Sequence, residues 1–140
     1  MDSWSVWDRR FMRVAEEVAT WSKDPNTQVG AVIINLDGKI LATGYNGFPR
    51  GVDDNPARYD DREAKYAFVV HAELNAILNS TQSLRDTILY VTMSPCRECA
   101  KAIIQAGIKM VIYRDYREDS FTNTMFDEAD ITMFNIKESV

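Results

Sequence analysis

The sequence predicts a single α/β domain, a mixed sheet sandwiched between helices, on three observations. Its 140 residues are the size of one domain. The apolar residues change period along the chain, helical in some stretches and strand-like in others. An early hairpin signal is followed by strand, helix, strand, helix. With 46% hydrophobic and 26% charged residues the chain can bury a core of its own. One domain over 1–140 is expected, without linker, repeat or low-complexity tract.

The elements follow in order. Trp7, Phe11, Val14, Val18 and Trp21 recur at helical spacing and predict an amphipathic helix over 7–21. "SKDPNTQ" (22–28) is a turn-rich break. The β-branched run 29–35 reads as a buried strand, and Asp37-Gly38 is a hairpin turn that returns 40–45 as its antiparallel partner. From 45 to 62 the pattern dissolves into Gly, Pro, Asp and Arg, a loop long enough to be functional or disordered. A short strand is expected to lead from there to His71. A helix starts near His71, with Leu74, Ile77 and Leu78 on one face. A strand over 87–92 precedes a helix opened by Pro95 and stopped by Gly107. A strand over 108–113, a short helix within 120–130 and a last strand over 131–136 complete the chain.

Net charge is −5, from 16 basic and 21 acidic residues, and no long basic run exists. That argues against a protein that grips nucleic acid polymers by phosphate charge, but not against a small anionic ligand. No apolar run is long enough to span a membrane, and "MDSWSVWDRR" lacks the apolar core of a signal peptide. A cytoplasmic protein is expected, in which two cysteines suggest metal or redox chemistry rather than a disulfide scaffold.

The single histidine, His71, and both cysteines, Cys96 and Cys99, fall in two short stretches, "HAE" and "PCREC". Pro95 puts Cys96 and Cys99 on one face of a first helical turn, where the helix dipole favours thiolates. Residues two apart on a helix point about 200° away from each other. His71 and Glu73 can therefore share a site only off the helix tip, with His71 at or before the first turn. Three ligands with an open fourth position describe catalytic rather than structural zinc. Two thiolates and a neutral imidazole balance the metal's charge, a bound water would lose its proton near neutrality, and Glu73 could take that proton. A redox Cys-x-x-Cys pair, a structural zinc closed by a carboxylate, and an ordinary buried His with two cysteines remain alternatives. His-x-Glu followed by Pro-Cys-x-x-Cys is the pattern of zinc nucleobase deaminases.

The chain resembles the zinc-dependent cytidine and deoxycytidylate deaminase superfamily, and within it the deoxycytidylate (dCMP) deaminase branch, a viral or bacterial member by its compact length. "SKDPNTQVGAVI", "GYNGFPRG", "HAELNAI", "SPCRECAKAIIQAGI" and the "DY" at 115–116 carry the resemblance. It implies a three-layer cytidine-deaminase-like fold with a five-stranded mixed sheet. It implies His71, Cys96 and Cys99 as ligands of one zinc per chain, since no Cys or His is left for a second. Glu73 would shuttle protons during hydrolytic attack at C4 of cytosine. Asn46 would contact the sugar, the backbone at Ser94 and Pro95 the exocyclic amine, and Tyr116 the nucleotide. Such enzymes are homo-oligomers, commonly hexamers. They are activated by dCTP and inhibited by dTTP, each with Mg²⁺, at a site separate from the zinc. Asn26, Gln28, Gly44, Tyr45, Gly47, Arg50, Lys65 and Tyr66 are the candidates for that site, with the glycines letting backbone N–H groups approach phosphates. For a viral member the location is the host cytoplasm. The same chemistry on dCTP, cytidine or tRNA adenosine, and a non-catalytic zinc-stabilised binding module, are the competing readings. A tRNA enzyme should be more basic, and a binding module would not need Glu73.

Overall fold

The computed structural model describes residues 5–139. Helix α1 (Val6–Ala19) leads into an antiparallel hairpin of β1 (Gly30–Ile34) and β2 (Ile40–Tyr45). Two short helices, α2 (Pro56–Asp60) and α3 (Arg62–Phe68), precede α4 (Ala72–Asn79). Then come β3 (Ile88–Met93), α5 (Arg97–Ala106), β4 (Met110–Asp115), α6 (Ser120–Glu128) and β5 (Thr132–Asn135), with a closing 3₁₀ turn, Ile136–Ser139. The sheet order is β2-β1-β3-β4-β5. β1 is antiparallel to both neighbours, and β3, β4 and β5 run parallel. This is the predicted mixed five-stranded sheet.

The three layers follow from the period-2 alternation of strand side chains. Val32, Ile34, Tyr90 and Ile112 point to one face, where Phe11, Met12 and Ala15 of α1 cover them. Ala31, Ile33, Leu89, Val91, Val111 and Tyr113 point to the other, under Ala72 and Ala76 of α4, Ala100 and Ile103 of α5, and Phe126 of α6. Both faces of the central strands are covered, which is why their sequences are apolar throughout rather than alternating. Ser5 and Asp8 close a reciprocal cap on α1. Asp8 also accepts a 2.6 Å hydrogen bond from the Tyr90 hydroxyl, pinning that helix to β3.

The structure corrects three expectations. The region 45–62 is not one loop, because Asn55 caps α2 with Pro56 in its first turn, and Asp61 caps α3. The strand expected before His71 is a single bridge between Gly47 and Val70, so Lys65 and Tyr66 lie in α3. Gly44 is not in a phosphate-approaching turn. It lies in β2 beneath α4, where a Cβ would overlap the Ala76 nitrogen and the Ala72 oxygen. Glycine is needed there because the helix axis comes so close to the strand.

Candidate active site

Two helix N-termini converge at one end of the sheet. His71 is the N-cap of α4 and Cys96 the N-cap of α5, both with extended backbone. Their side chains therefore project off the helix ends, which is the arrangement that lets His71 and Glu73, in the first turn of α4, address one point. Nδ1 of His71 lies 3.4 Å from Sγ of Cys96 and 3.4 Å from Sγ of Cys99. All three ligand atoms lie within 4.8 Å of one another. A tetrahedral zinc with ordinary Zn–N and Zn–S bonds sets its N···S separation at about 3.5 Å. The donor set fits zinc in both spacing and chemistry.

The electrostatics agree. Cys96 is pushed down to about 3, chiefly by a hydrogen bond from Cys99 and further by His71, against the opposing effect of burial. Cys99, the donor in that pair and itself buried, is pushed up. A divalent cation binding to both sulfurs would displace whatever proton they hold. Glu73 is 4% exposed, and burial raises it to about 7. A carboxyl group poised there can accept and return a proton at neutral pH.

A cavity of about 140 Å³ opens beside these groups, lined by His71, Glu73, Asn46, Asp24, Lys65 and Arg117 among others. Asn46 is buried. Its Oδ1 accepts from the Val29 N–H at 2.8 Å and its Nδ2 donates to the Thr27 carbonyl at 2.9 Å. One amide hydrogen and one oxygen lone pair remain for a ligand. Ser94 is buried with its hydroxyl bonded to the backbone of Arg117. The Pro95 carbonyl accepts from Thr122 Oγ1. Tyr116 is not among the cavity's lining residues. It is 48% exposed, tilts against Tyr113 and accepts a 3.3 Å hydrogen bond from Asn123.

The eight residues expected to form a separate nucleotide site are only partly gathered. Asn26, Lys65 and Tyr66 line a second cavity of about 320 Å³, together with Thr27, Tyr59 and Arg62. Gln28, Gly44, Tyr45, Gly47 and Arg50 do not line it. Gln28 donates to the Ser22 carbonyl, Tyr45 meets Trp21 edge-on, and Arg50 is solvent-exposed.

Sequence reasoning missed two charged lining residues, Asp24 and Arg117. Asp24 carried a signal, because "DPNT" is a side-chain turn in which Oδ1 accepts from the N–H groups of Asn26 and Thr27. Its burial was not legible. Arg117 carried none beyond its place after the "DY" pair. Asp24 is 1% exposed, and Lys65 Nζ reaches its Oδ2 at 2.8 Å. Burial alone would raise Asp24, but Lys65 and the two N–H groups outweigh it and hold the carboxyl below 3.8. Its contribution to stability is complete above its unfolded value and is lost as pH falls through the lower folded one. Lys65→Met removes the partner of a buried charge and should destabilise the fold by about 3 kcal/mol at pH 7. The loss should shrink toward pH 4, where the unpaired Asp24 takes up a proton. Urea unfolding at the two pH values checks both, and equal stability of variant and parent at pH 7 contradicts the pairing.

Comparison with known proteins bears on this geometry. The family described as the cytidine and deoxycytidylate deaminase zinc-binding region matches residues 5–115. A deoxycytidylate deaminase from Homo sapiens is 43% identical over 142 residues, covering 94% of this chain and 80% of that one. A probable deoxycytidylate deaminase from Caenorhabditis elegans is 46% identical over 115 residues, 79% of this chain and 58% of that one. The structure is similar to the dCMP deaminase of cyanophage S-TIM5 in apo form, with a TM-score of 0.74 and 31% identity over 91% of this chain and 95% of the other. It is also similar to that protein's complex with dCMP and dUMP, with a TM-score of 0.72 and 30% identity over 89% and 93%.

Proposed function

Because the chain belongs to the cytidine and deoxycytidylate deaminase zinc-binding family, we propose that it hydrolyses dCMP to dUMP and ammonia. The observation that carries this reading is the pair of convergent helix ends. They bring one imidazole and two thiols within bonding range of a single metal, with a buried carboxyl group beside them. His71, Cys96 and Cys99 are the zinc ligands, one metal per chain, and the metal when bound supplies an activated water at neutral pH.

Glu73 takes the proton of the attacking water and delivers it to N3 of the cytosine ring, then moves the proton of the new C4 hydroxyl to the amine, which leaves as ammonia as the C4 carbonyl forms. Its burial keeps the proton affinity close to neutrality, so both transfers are balanced. Asn46 holds the sugar with its free amide hydrogen and lone pair. The backbone at Ser94 and Pro95 faces the exocyclic amine. Tyr116 joins the substrate contacts by rotating its ring about its own side-chain bonds, since the backbone on either side of it is bonded to Ser94.

Regulation belongs to the same proposal: activation by dCTP and inhibition by dTTP, each with Mg²⁺, in a homohexamer of the cytoplasm. The second cavity supports it, since Lys65 lines both cavities and an anion there would act on Asp24 in the active-site wall. Assembly is supported by large apolar groups left at the surface, Trp7, Trp21, Leu78 and Phe134 among them. Of the large apolar residues that the sequence offers for such contacts, Trp4, Trp7, Met125, Phe126 and Phe134, Phe126 is core, Met125 is half-buried, and Trp4 lies outside the described residues. No helix of the described residues is long and apolar enough to cross a membrane.

The test is ammonia release from dCMP, dCTP, deoxycytidine and cytidine, with and without dCTP–Mg²⁺ or dTTP–Mg²⁺, alongside light scattering. Turnover of dCMP above the other three, sigmoidal alone and hyperbolic with dCTP, is the expected result. Absence of ammonia release from dCMP overturns the activity. Three superimposable hyperbolic curves overturn the regulation, and a monomer at micromolar concentration overturns the assembly.

A further inference from the structure

Helix α4 carries two asparagines, Asn75 and Asn79, in a span of eight residues. Asparagine is a poor helix former, because its short amide competes for backbone groups. Four residues apart, the two lie on one face of the helix. Both reach across to β2, an edge strand of the sheet. Asn79 Nδ2 donates to the Thr43 carbonyl at 2.9 Å. Asn75 Nδ2 donates to the Tyr45 carbonyl at 2.8 Å and to the Val70 carbonyl at 3.4 Å. Each asparagine fastens the helix to the strand, but Asn75 also fastens a third segment.

Tyr45 is the residue before Asn46, and Val70 is the residue before His71. One amide group, with both its hydrogens engaged, therefore clasps the two segments that carry the sugar contact and a metal ligand. The bridge between Gly47 and Val70, with backbone hydrogen bonds of 3.1 and 2.7 Å, runs beside the clasp. Asn46 itself is held to the start of β1 and its approach. Its side chain bonds Val29 and Thr27, its N–H donates to the Val29 carbonyl at 3.3 Å, and its carbonyl accepts from Ser22 Oγ at 2.8 Å. The start of α4 lacks such an anchor of its own, because His71 makes no side-chain cap bond. Asn75 ties that loosely capped first turn, with His71 and Glu73, to the fixed frame around Asn46.

We infer that Asn75 is a positioning residue, which sets the register between Asn46 and the reacting centre at His71 and Glu73. This rests on the dCMP reading. A base anchored through its sugar then arrives at Glu73 already aligned, and alignment is worth rate rather than affinity. Asn75 touches neither substrate nor metal and acts only through the two segments it joins.

The experiment compares parent, Asn75→Asp, Asn75→Ala and Asn79→Asp, each matched for zinc content. Aspartate keeps the shape of asparagine but has no N–H to donate, so it opens the clasp without leaving a void. A misplacement near 1 Å can cost about 10²-fold, so kcat on dCMP should fall on the order of 10- to 100-fold in both Asn75 variants, with KM moving far less. Asn79→Asp loses the same kind of bond to the same strand and should keep its kcat, which separates positioning from attachment of the helix. In an Asn46→Ala background the cost of Asn75→Asp should shrink, because a sugar that is no longer anchored gains nothing from register. Amide exchange supplies a readout apart from activity. The Gly47 and Val70 amides should exchange on the order of tenfold faster in Asn75→Asp, the worth of about one hydrogen bond, and at the parent rate in Asn79→Asp. Should Asn75→Asp fail to fold, Asn75→Ala carries the same comparisons. Equal losses of kcat at positions 75 and 79, full additivity with Asn46→Ala, or unmoved exchange at Gly47 and Val70 overturns the assignment and leaves the deaminase reading intact. A parent chain that releases no ammonia from dCMP overturns the deaminase reading itself, and amide exchange then decides the role of Asn75 alone.

Discussion

Glu73→Gln is expected to keep one zinc per chain and to bind dCMP as the parent does, while losing about 10⁴-fold in turnover. The amide has nearly the shape of the carboxyl group and makes no new clash in a site where Glu73 is 4% exposed. It cannot accept the proton of the attacking water. A general acid–base group contributes typically about 10²–10⁴-fold, and one group serving several transfers belongs at the top of that range. Single-turnover ammonia release, zinc analysis and dCMP calorimetry on one preparation separate the chemistry from binding. Activity within tenfold of the parent would mean that another group moves the proton.

Cys99→Ala should abolish activity by a different route, through the metal. Losing even an outer-sphere partner costs about 10–100-fold in metal affinity, so losing a ligand atom should exceed that. The parent should also draw stability from zinc, about 4 kcal/mol when the free metal is a thousandfold above its dissociation constant. In a domain of this size that is a melting shift on the order of 10 °C. Chelator should lower the melting temperature of the parent by that much and leave Cys99→Ala unmoved. Cys99 is 3% exposed and packs against the core, but the smaller methyl leaves only a modest void. Zinc retained at one per chain in the variant would contradict the ligand set.

The sheet and its flanking helices were legible because most of the packing signals are local. The run 29–35 had to be buried on both faces, and in the structure all of β1 is. Gly107 had to end a helix, and it does so in the left-handed conformation, φ 87°. What failed was reading through punctuation. "DDNPARYDDR" looked like loop because Asp, Asn and Pro break patterns in general. The same residues are caps and a first-turn proline when they fall at the right offsets, and α2 and α3 are too short to show a hydrophobic period. Gly44 was misread for a related reason, since a glycine needed for close packing looks like a glycine needed for a turn until the neighbouring helix is seen.

His71, Cys96 and Cys99 were legible as candidate ligands because they are the only His and Cys in the chain, and the structure brings their ligand atoms within 4.8 Å of one another. The condition placed on His71, that it stand at or before the first turn, is met by its N-cap position. Asp24 and Arg117 were hidden because nothing in a sequence distinguishes a surface charge from one that lines a cavity. That distinction comes from contacts between segments far apart in the chain, Asp24 with Lys65 and Arg117 with Ser94.

Among the six α-helices described, the four that do not begin at the metal site begin with Ser5, Asn55, Asp61 or Asp119, each bonding its side chain to the helix's own first N–H groups. The two that begin at His71 and Cys96 have no such bond. Serine or aspartate at either position would gain about 1 kcal/mol. Without metal the fold forgoes that stabilisation at two helix ends, and a bound zinc, contributing about 4 kcal/mol at a thousandfold excess over its dissociation constant, would more than restore it. The empty and the filled protein therefore differ in which residue suits each helix end, and a substitution at His71 or Cys96 that steadies the empty chain would weaken the filled one.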